Sequence, residues 1–393
     1  MKEAVINMTG RERFNAIIDH KRPDKMPFYI PTVSCTVASE ILSRPVFTGA
    51  DSLHFHEELA IYRGEAAHKE FEEKYYEDTV DLHRALRVDI VRDTWRSKER
   101  AVRQLDENTL MFGDEDGEYY IKRFFPGPQT YGIIKDTRKP KEPEELQSMF
   151  EKELSEPVQL PDYQQSIAYI AGGKRIFDLH RAKGDDLGEI IAGGGGLGLP
   201  IDNSSYLELA LLEPELLREH YMRVALADCV RMRFLAREGY RWFSGGHDMA
   251  TMISTIYSPN TFKAVLADAV KTFADCCAEE NVVFCYKSDG NMWGVFDIMF
   301  NECGVQAYGE VDRDATMTVA DIRKRNSNLL ILGNMSSAFL HLSSEQAVRD
   351  ETRKMLDESE GLNFIPGPSN AIMSGTPVKN VFAMIEEIER FVP

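Results

Sequence analysis

Residues Asn281-Val-Val-Phe-Cys-Tyr286 form an apolar run of the kind that makes a buried strand, and the run stops abruptly in Lys287, Ser288, Asp289, Gly290 and Asn291. Charged and amide groups at the end of a buried strand cost free energy unless they meet a ligand, a metal or one another. The same layout recurs in Arg241-Trp-Phe-Ser-Gly-Gly-His247-Asp248, in residues 305–310 ending at Glu310, and in residues 329–334 ending at Asn334. Repeated apolar strands with polar tips, each followed by a helix pattern, predict a parallel sheet whose tips gather at one rim.

Extended to the whole chain, the pattern gives eight strands, at 27–32, 88–92, 189–192, 242–243, 282–286, 305–308, 329–332 and 364–365. Helix patterns fill the gaps at 55–86, 142–154, 161–183, 204–212, 214–238, 259–278, 295–302, 319–324, 344–357 and 378–390. Thr9-Gly-Arg-Glu12 is a capping box that opens an additional N-terminal helix. The fold class expected is α/β, a (β/α)8 TIM barrel spanning 1–393 as a single domain, with an N-terminal helical extension. An insertion at about 105–160 holds a β-hairpin over 110–124 that turns at Gly113-Asp-Glu-Asp-Gly117, a loop at 126–139, and helices.

The net charge of −18, without a basic patch, excludes nucleic acid as a partner and disfavours a strongly anionic substrate unless arginines gather locally. No secretory leader pattern and no apolar run of bilayer-spanning length is seen, so a cytoplasmic protein with no membrane partner is expected. Six cysteines without CxxC spacing are expected to be reduced packing residues.

In a barrel the reacting groups come from strand tips. Here these are Ser34 and Cys35; Asp93, Trp95 and Arg96; the glycine run 193–196; His247 and Asp248; Lys287, Asp289 and Asn291; Glu310; Asn334; Ser369 and Asn370. His247-Asp248 suits acid–base work or metal binding, and equally suits a loop pair bonded to nearby backbone. Asp289 and Glu310, on neighbouring strands, could share a proton, hold a cation or bind an amine; a salt bridge to Lys287 accounts for them equally well. The glycine run lets backbone approach a flat ligand, but it is neither a P-loop nor a dinucleotide fingerprint. Trp242, Phe243, Tyr286 and Trp293 either line an apolar pocket or belong to the core, and His54 and His56 read as surface histidines.

Met8-Thr-Gly-Arg-Glu-Arg-Phe-Asn-Ala-Ile-Ile18 and His20-Lys-Arg-Pro-Asp-Lys-Met-Pro27 resemble the opening of the uroporphyrinogen decarboxylase superfamily. Tyr257-Ser-Pro-Asn-Thr-Phe262, Lys287-Ser-Asp-Gly-Asn291, Ile331-Leu-Gly-Asn-Met335, Ile365-Pro-Gly367 and Thr376-Pro377 extend the resemblance over roughly 240–393. It implies a (β/α)8 barrel with a cleft at the strand tips. True uroporphyrinogen decarboxylases carry an arginine cluster after the first strand, where this chain has Pro31-Thr-Val-Ser-Cys-Thr36. The resemblance therefore points to the corrinoid-dependent methyltransferase branch.

In that branch, members acting on coenzyme M hold zinc with a His and two Cys. Lys287, Asp289 and Asn370 stand near those places, so a zinc ion would lack its usual Cys and His ligands, and the metal stays unknown. The resemblance implies a small methylated substrate, of methoxylated aromatic or methylamine type, whose methyl group passes to a corrinoid on a partner corrinoid-binding protein. Expected catalytic groups are His247, Asp248, Asp289, Glu310 and Lys287. Expected substrate contacts are Trp242, Tyr286, Asn291, Trp293, Asn334, Asn370 and Cys35. Relatives of this kind point to a homodimer. Two rival readings are a decarboxylase or lyase working through Lys287 and a non-catalytic binding homologue.

Overall fold

The structure is a computed structural model that describes residues 7–193 and 196–393. A helix at Gly10–Ile18 opens it, with Thr9 and Glu12 capping each other's backbone. Tyr29 then forms a parallel bridge to Ile90 of strand β1, Ile90–Val91. Four antiparallel strands come next: β2 (Arg103–Asp106), β3 (Thr109–Gly113), β4 (Tyr119–Phe125) and β5 (Thr130–Asp136). Strand β6 (Gly188–Glu189) pairs in parallel with β1.

The main sheet is parallel and consists of β7 (Ile191–Ala192), β8 (Trp242–Gly245), β9 (Val283–Lys287), β10 (Ala307–Gly309), β11 (Leu330–Met335) and β12 (Phe364–Pro368), side by side in chain order. It is a mixed α/β fold built on a parallel half-barrel, with helices between successive strands. At its far edge the Tyr29 N–H donates to Pro366 O at 3.3 Å. Among the described residues no helix is long and apolar enough to cross a membrane.

Side chains alternate across a strand, and two separate cores result. Ile90, Trp242, Val283, Cys285, Ala307, Leu330, Leu332 and Ile365 point to the concave side, where Phe14, Ile17 and Ile18 of the first helix close one end. Val91, Phe243, Phe284, Tyr286, Tyr308, Ile331 and Phe364 point outward into the helical layer. All six cysteines are free and buried.

Several elements differ from expectation. The inserted hairpin is a four-stranded sheet, because β5, expected as loop, pairs with β4 although most of its residues are exposed. The helix expected at 55–86 is two helices, Ala50–Arg63 and Glu65–Leu86, separated by Gly64 at φ 116°. The helix expected at 259–278 divides at Leu266, and 161–183 divides at Ile170. The segment after Ser34 is a helix, Cys35–Leu42, that the sequence reading left unassigned. Residues 297–302 form a π-helical turn.

Candidate functional site

Strand parity aims the site. Val283, Cys285 and Lys287 are successive inward positions of β9, so Lys287 caps the concave face at its rim. Its ammonium donates to Glu310 Oε1 at 2.8 Å. Glu310 follows β10 directly and adopts φ 61°, a left-handed conformation uncommon outside glycine and often found where function requires a fixed aim.

Asp289 lies just past β9. Its backbone N–H donates to Asp248 Oδ1 at 3.3 Å, and the Asn370 amide donates to its Oδ2 at 2.7 Å. Asp248 is presented by the turn after β8, where Gly246 sits at φ 133°. A Cβ at Gly246 would lie 2.4 Å from Lys287 O, so the two strand tips approach too closely for any other residue.

Oxygens of Asp248, Asp289 and Glu310 all lie within 4.8 Å of one another. Three carboxylates this close resist simultaneous ionisation. Burial, then the charges of Glu310 and Asp248, raise the Asp289 pKa to about 7, against the hydrogen bond from Asn370.

The cluster borders a cavity of about 730 Å3 lined by Arg92, Asp93, Trp95, Tyr169, Lys287 and Glu310 among others. A second hollow, lined by Trp95, Gly246, His247, Asp248, Lys287 and Glu310, shares its wall. His247 reaches this rim, with its Nδ1 3.2 Å from Asp248 O. The structure thus brings together His247, Asp248, Lys287, Asp289, Glu310 and Asn370.

The remaining expected contacts lie elsewhere. Trp242 is fully buried at the closed end of the concave core, packed on Phe14 at 5.6 Å with its indole N–H on Ser244 Oγ at 2.9 Å. Tyr286 has outward parity and donates to Leu197 O at 2.8 Å. Asn334 is buried as a loop clamp, donating to Val311 O and Met317 O at 3.0 Å each. Cys35 is buried against Gly49 O, and burial raises its pKa, away from a reactive thiolate. Trp293 packs on Phe296 under Arg325, and Asn291 accepts from the Trp293 N–H. None of these six lines the cavity.

His54 and His56 are half-buried and not surface residues: His54 packs edge-on to Trp95, and His56 packs among Phe47 and Phe55. Of the glycine run, Gly193 and Gly196 line the cavity; 194 and 195 lie outside the described residues.

Tyr169 and Arg92 are among the cavity residues that escaped the sequence reading. Tyr169 ends the helix Tyr163–Tyr169, which no strand-tip rule covers. Arg92 follows β1 and was absorbed into the strand; the inward parity of Ile90 two residues earlier was the available signal.

A zinc set of Cys and His does not fit this site, because every cysteine is buried and the converging donors are three carboxylates. Oxygen-only donors suit a hard cation instead. A second cluster, Glu57, His68 and Glu72, is already balanced by Arg96, which lies 3.5 Å from Glu57 and 2.7 Å from Glu72.

No curated protein matches the sequence. Among solved structures, a methyltransferase from Methanosarcina mazei is similar, with 16% identity, 98% of this chain and 100% of that chain covered, and a TM-score of 0.64. A 3-keto-D-glucoside 4-epimerase from E. coli shares 12% identity over 63% of this chain and 97% of its own, with a TM-score of 0.36. Residues 248–391 match the uroporphyrinogen decarboxylase (URO-D) family. Over that stretch, which contains Asp248, Lys287, Asp289, Glu310 and Asn370, the resemblance to the uroporphyrinogen decarboxylase superfamily is borne out.

Proposed function

We propose that the protein is a methyltransferase that takes a methyl group from a small donor, a methoxylated aromatic or a methylamine, and passes it to a corrinoid carried by a partner protein. The observation that carries this reading is the convergence of Asp289 on Asp248 and Glu310, which line one cavity rim together with Lys287. A fold shared with a methyltransferase from Methanosarcina mazei supports it. With Tyr29 and the β1–β6 pair bridging the two edges of the main sheet, we read the architecture as a closed (β/α)8 barrel, the frame that gathers strand tips into a single mouth.

Methyl transfer breaks the bond between the methyl carbon and its oxygen or nitrogen, and the departing heteroatom must gain a proton or leave as an anion. Asp289, with a pKa near 7, supplies that proton. Asp248 orients it by accepting from its backbone N–H, and Asn370 holds its second oxygen. The Lys287–Glu310 pair fixes the neighbouring wall beside Asp289. The docked corrinoid supplies the nucleophile that accepts the methyl group. The lysine engaged by Glu310 at 2.8 Å is poorly placed for a Schiff base, since that pair would first have to break.

The test is incubation of the purified protein with a reduced corrinoid protein and a panel of methoxyarenes and methylamines, followed by the visible spectrum of the corrinoid, with metal analysis of the same preparation. Methylation by at least one donor, lost in Asp289→Ala, is expected. Absence of methylation across the panel, with added divalent cations, would overturn the proposal.

A further inference from the structure

We propose that Arg92 is a carboxylate anchor, so that the substrate bears a carboxylate at one end and its methyl group at the other. The inference deepens the methyl-transfer reading and takes from it only the identity of the second end. Arg92 stands one inward position beyond Ile90, which sets its side chain on the concave face above the apolar core. It is 9% exposed and lines the cavity.

Its Nε donates to Pro31 O at 3.2 Å, which orients the guanidinium and leaves both terminal amino groups without a protein acceptor among the described residues. The other cations of the cavity are engaged: Lys287 by Glu310, Arg96 by Glu57 and Glu72, and Lys98 by Glu72. Asp93, the nearest carboxylate in sequence, accepts from the Tyr75 hydroxyl at 2.8 Å.

An arginine nine-tenths buried as a residue, whose guanidinium faces the cavity without an ionic partner among the described residues, is favoured by a ligand that supplies the anion. The planar fork of arginine matches a carboxylate with two parallel hydrogen bonds. Arg92 is deep in the cavity, whereas Asp248 is exposed at the rim. A substrate anchored by Arg92 would therefore turn its far end outward, toward the proton donor and the side from which a partner arrives. An amphipathic acid such as a methoxybenzoate, or an N-methylated amino acid, has this polarity. The acidic net charge disfavours polyanions, and a single arginine without an ion-pair partner among the described residues is suited to one carboxylate.

Binding is measured by calorimetry for two matched pairs, 4-methoxybenzoate with 4-methoxybenzamide and N,N-dimethylglycine with its amide. The wild type is expected to prefer the acid in at least one pair by about tenfold or more, a usual worth for a charge-assisted bidentate contact. Arg92→Gln is expected to abolish that preference while leaving amide binding unchanged. Arg92→Lys, which keeps the charge but loses the fork, is expected to retain an intermediate preference, and it decides the matter should Arg92→Gln fail to fold. Equal binding of acid and amide in both pairs, or a preference untouched by both variants, overturns the inference. No corrinoid enters these measurements. Acid binding through Arg92 without methyl transfer would therefore sink only the proposed function, and methyl transfer from a carboxylate-bearing donor undiminished in Arg92→Gln would sink only this one.

Discussion

At the scale of single residues the most consequential group is Asp289, because its pKa of about 7 links function and stability. If it delivers the proton, kcat/KM for the methyl donor falls as pH rises through about 7, and Asp289→Asn lowers the rate by about 10²–10⁴-fold. A pH profile of the donor half-reaction checks both. The stability effect runs in the same direction with pH. A carboxyl whose folded pKa lies above its unfolded value of 3.8 gives stability that is present below about pH 4 and lost as pH rises to about 7. Asp289→Asn removes that loss, so the variant is expected to be more stable than the wild type at pH 8 by roughly 1–2 kcal/mol in free energy of unfolding after discounting for solvent, and to show little gain at pH 4. Trp242 gives the contrasting case. As a fully buried core residue it is expected to cost about 3–5 kcal/mol on Trp242→Ala, measured by denaturant unfolding, without altering donor affinity in the folded fraction. The sequence displayed the polar tips Lys287, Asp289 and Glu310 because charge after an apolar run is conspicuous. It concealed which aromatic faces which side, because strands covered on both faces are apolar at every position and lose the alternation that reveals parity.

At the scale of elements, the turn between β8 and the loop bearing Asp248 is held by close backbone approach. Gly246→Ala must place a Cβ 2.4 Å from Lys287 O and hold a φ of 133° that an L-residue avoids. We expect a loss of more than about 2 kcal/mol in thermal unfolding, and a donor affinity reduced further than stability alone explains, since Lys287 is the residue displaced. Gly239→Ala, at φ 92° but in open space, is the control: strained, yet neutral for donor binding. The regular β9–β12 half was legible because each strand there is short, apolar and followed promptly by a helix. In the insertion the β3–β4 hairpin was legible but β2 and β5 were not, because these two are largely exposed, and an exposed strand has neither an apolar run nor an alternating burial pattern to betray it. Tyr169 was hidden for a different reason: it reaches the cavity wall from the end of a helix, where no strand-tip pattern applies.

At the scale of the whole molecule, the proposed reaction needs a second protein to reach the rim, and the loops around the carboxylates leave large apolar side chains exposed. The 249–256 loop is tied to the cluster by Asn291 N–H donating to Thr251 O at 2.7 Å, and it presents Met252 and Ile253 at 53% and 84% exposure. The loop after Asn370 presents Met373, and Trp95 stands 71% exposed on the cavity wall. Large apolar side chains left exposed around a polar cleft are a usual mark of a protein–protein contact. The net charge of −18 would repel an acidic partner at long range, so short-range apolar contact would have to supply most of the affinity. Ile253→Asp places a charge at the most exposed of these positions without touching the cavity. We expect it to raise the KM for the corrinoid protein by about tenfold or more while donor affinity and thermal unfolding stay as in the wild type. Steady-state rates at varied corrinoid-protein concentration, set beside calorimetric donor binding, separate the two. If Ile253→Asp leaves the KM for the corrinoid protein unchanged, the partner approaches by another face, and a substrate held by Arg92 would have its methyl group pointing away from the acceptor.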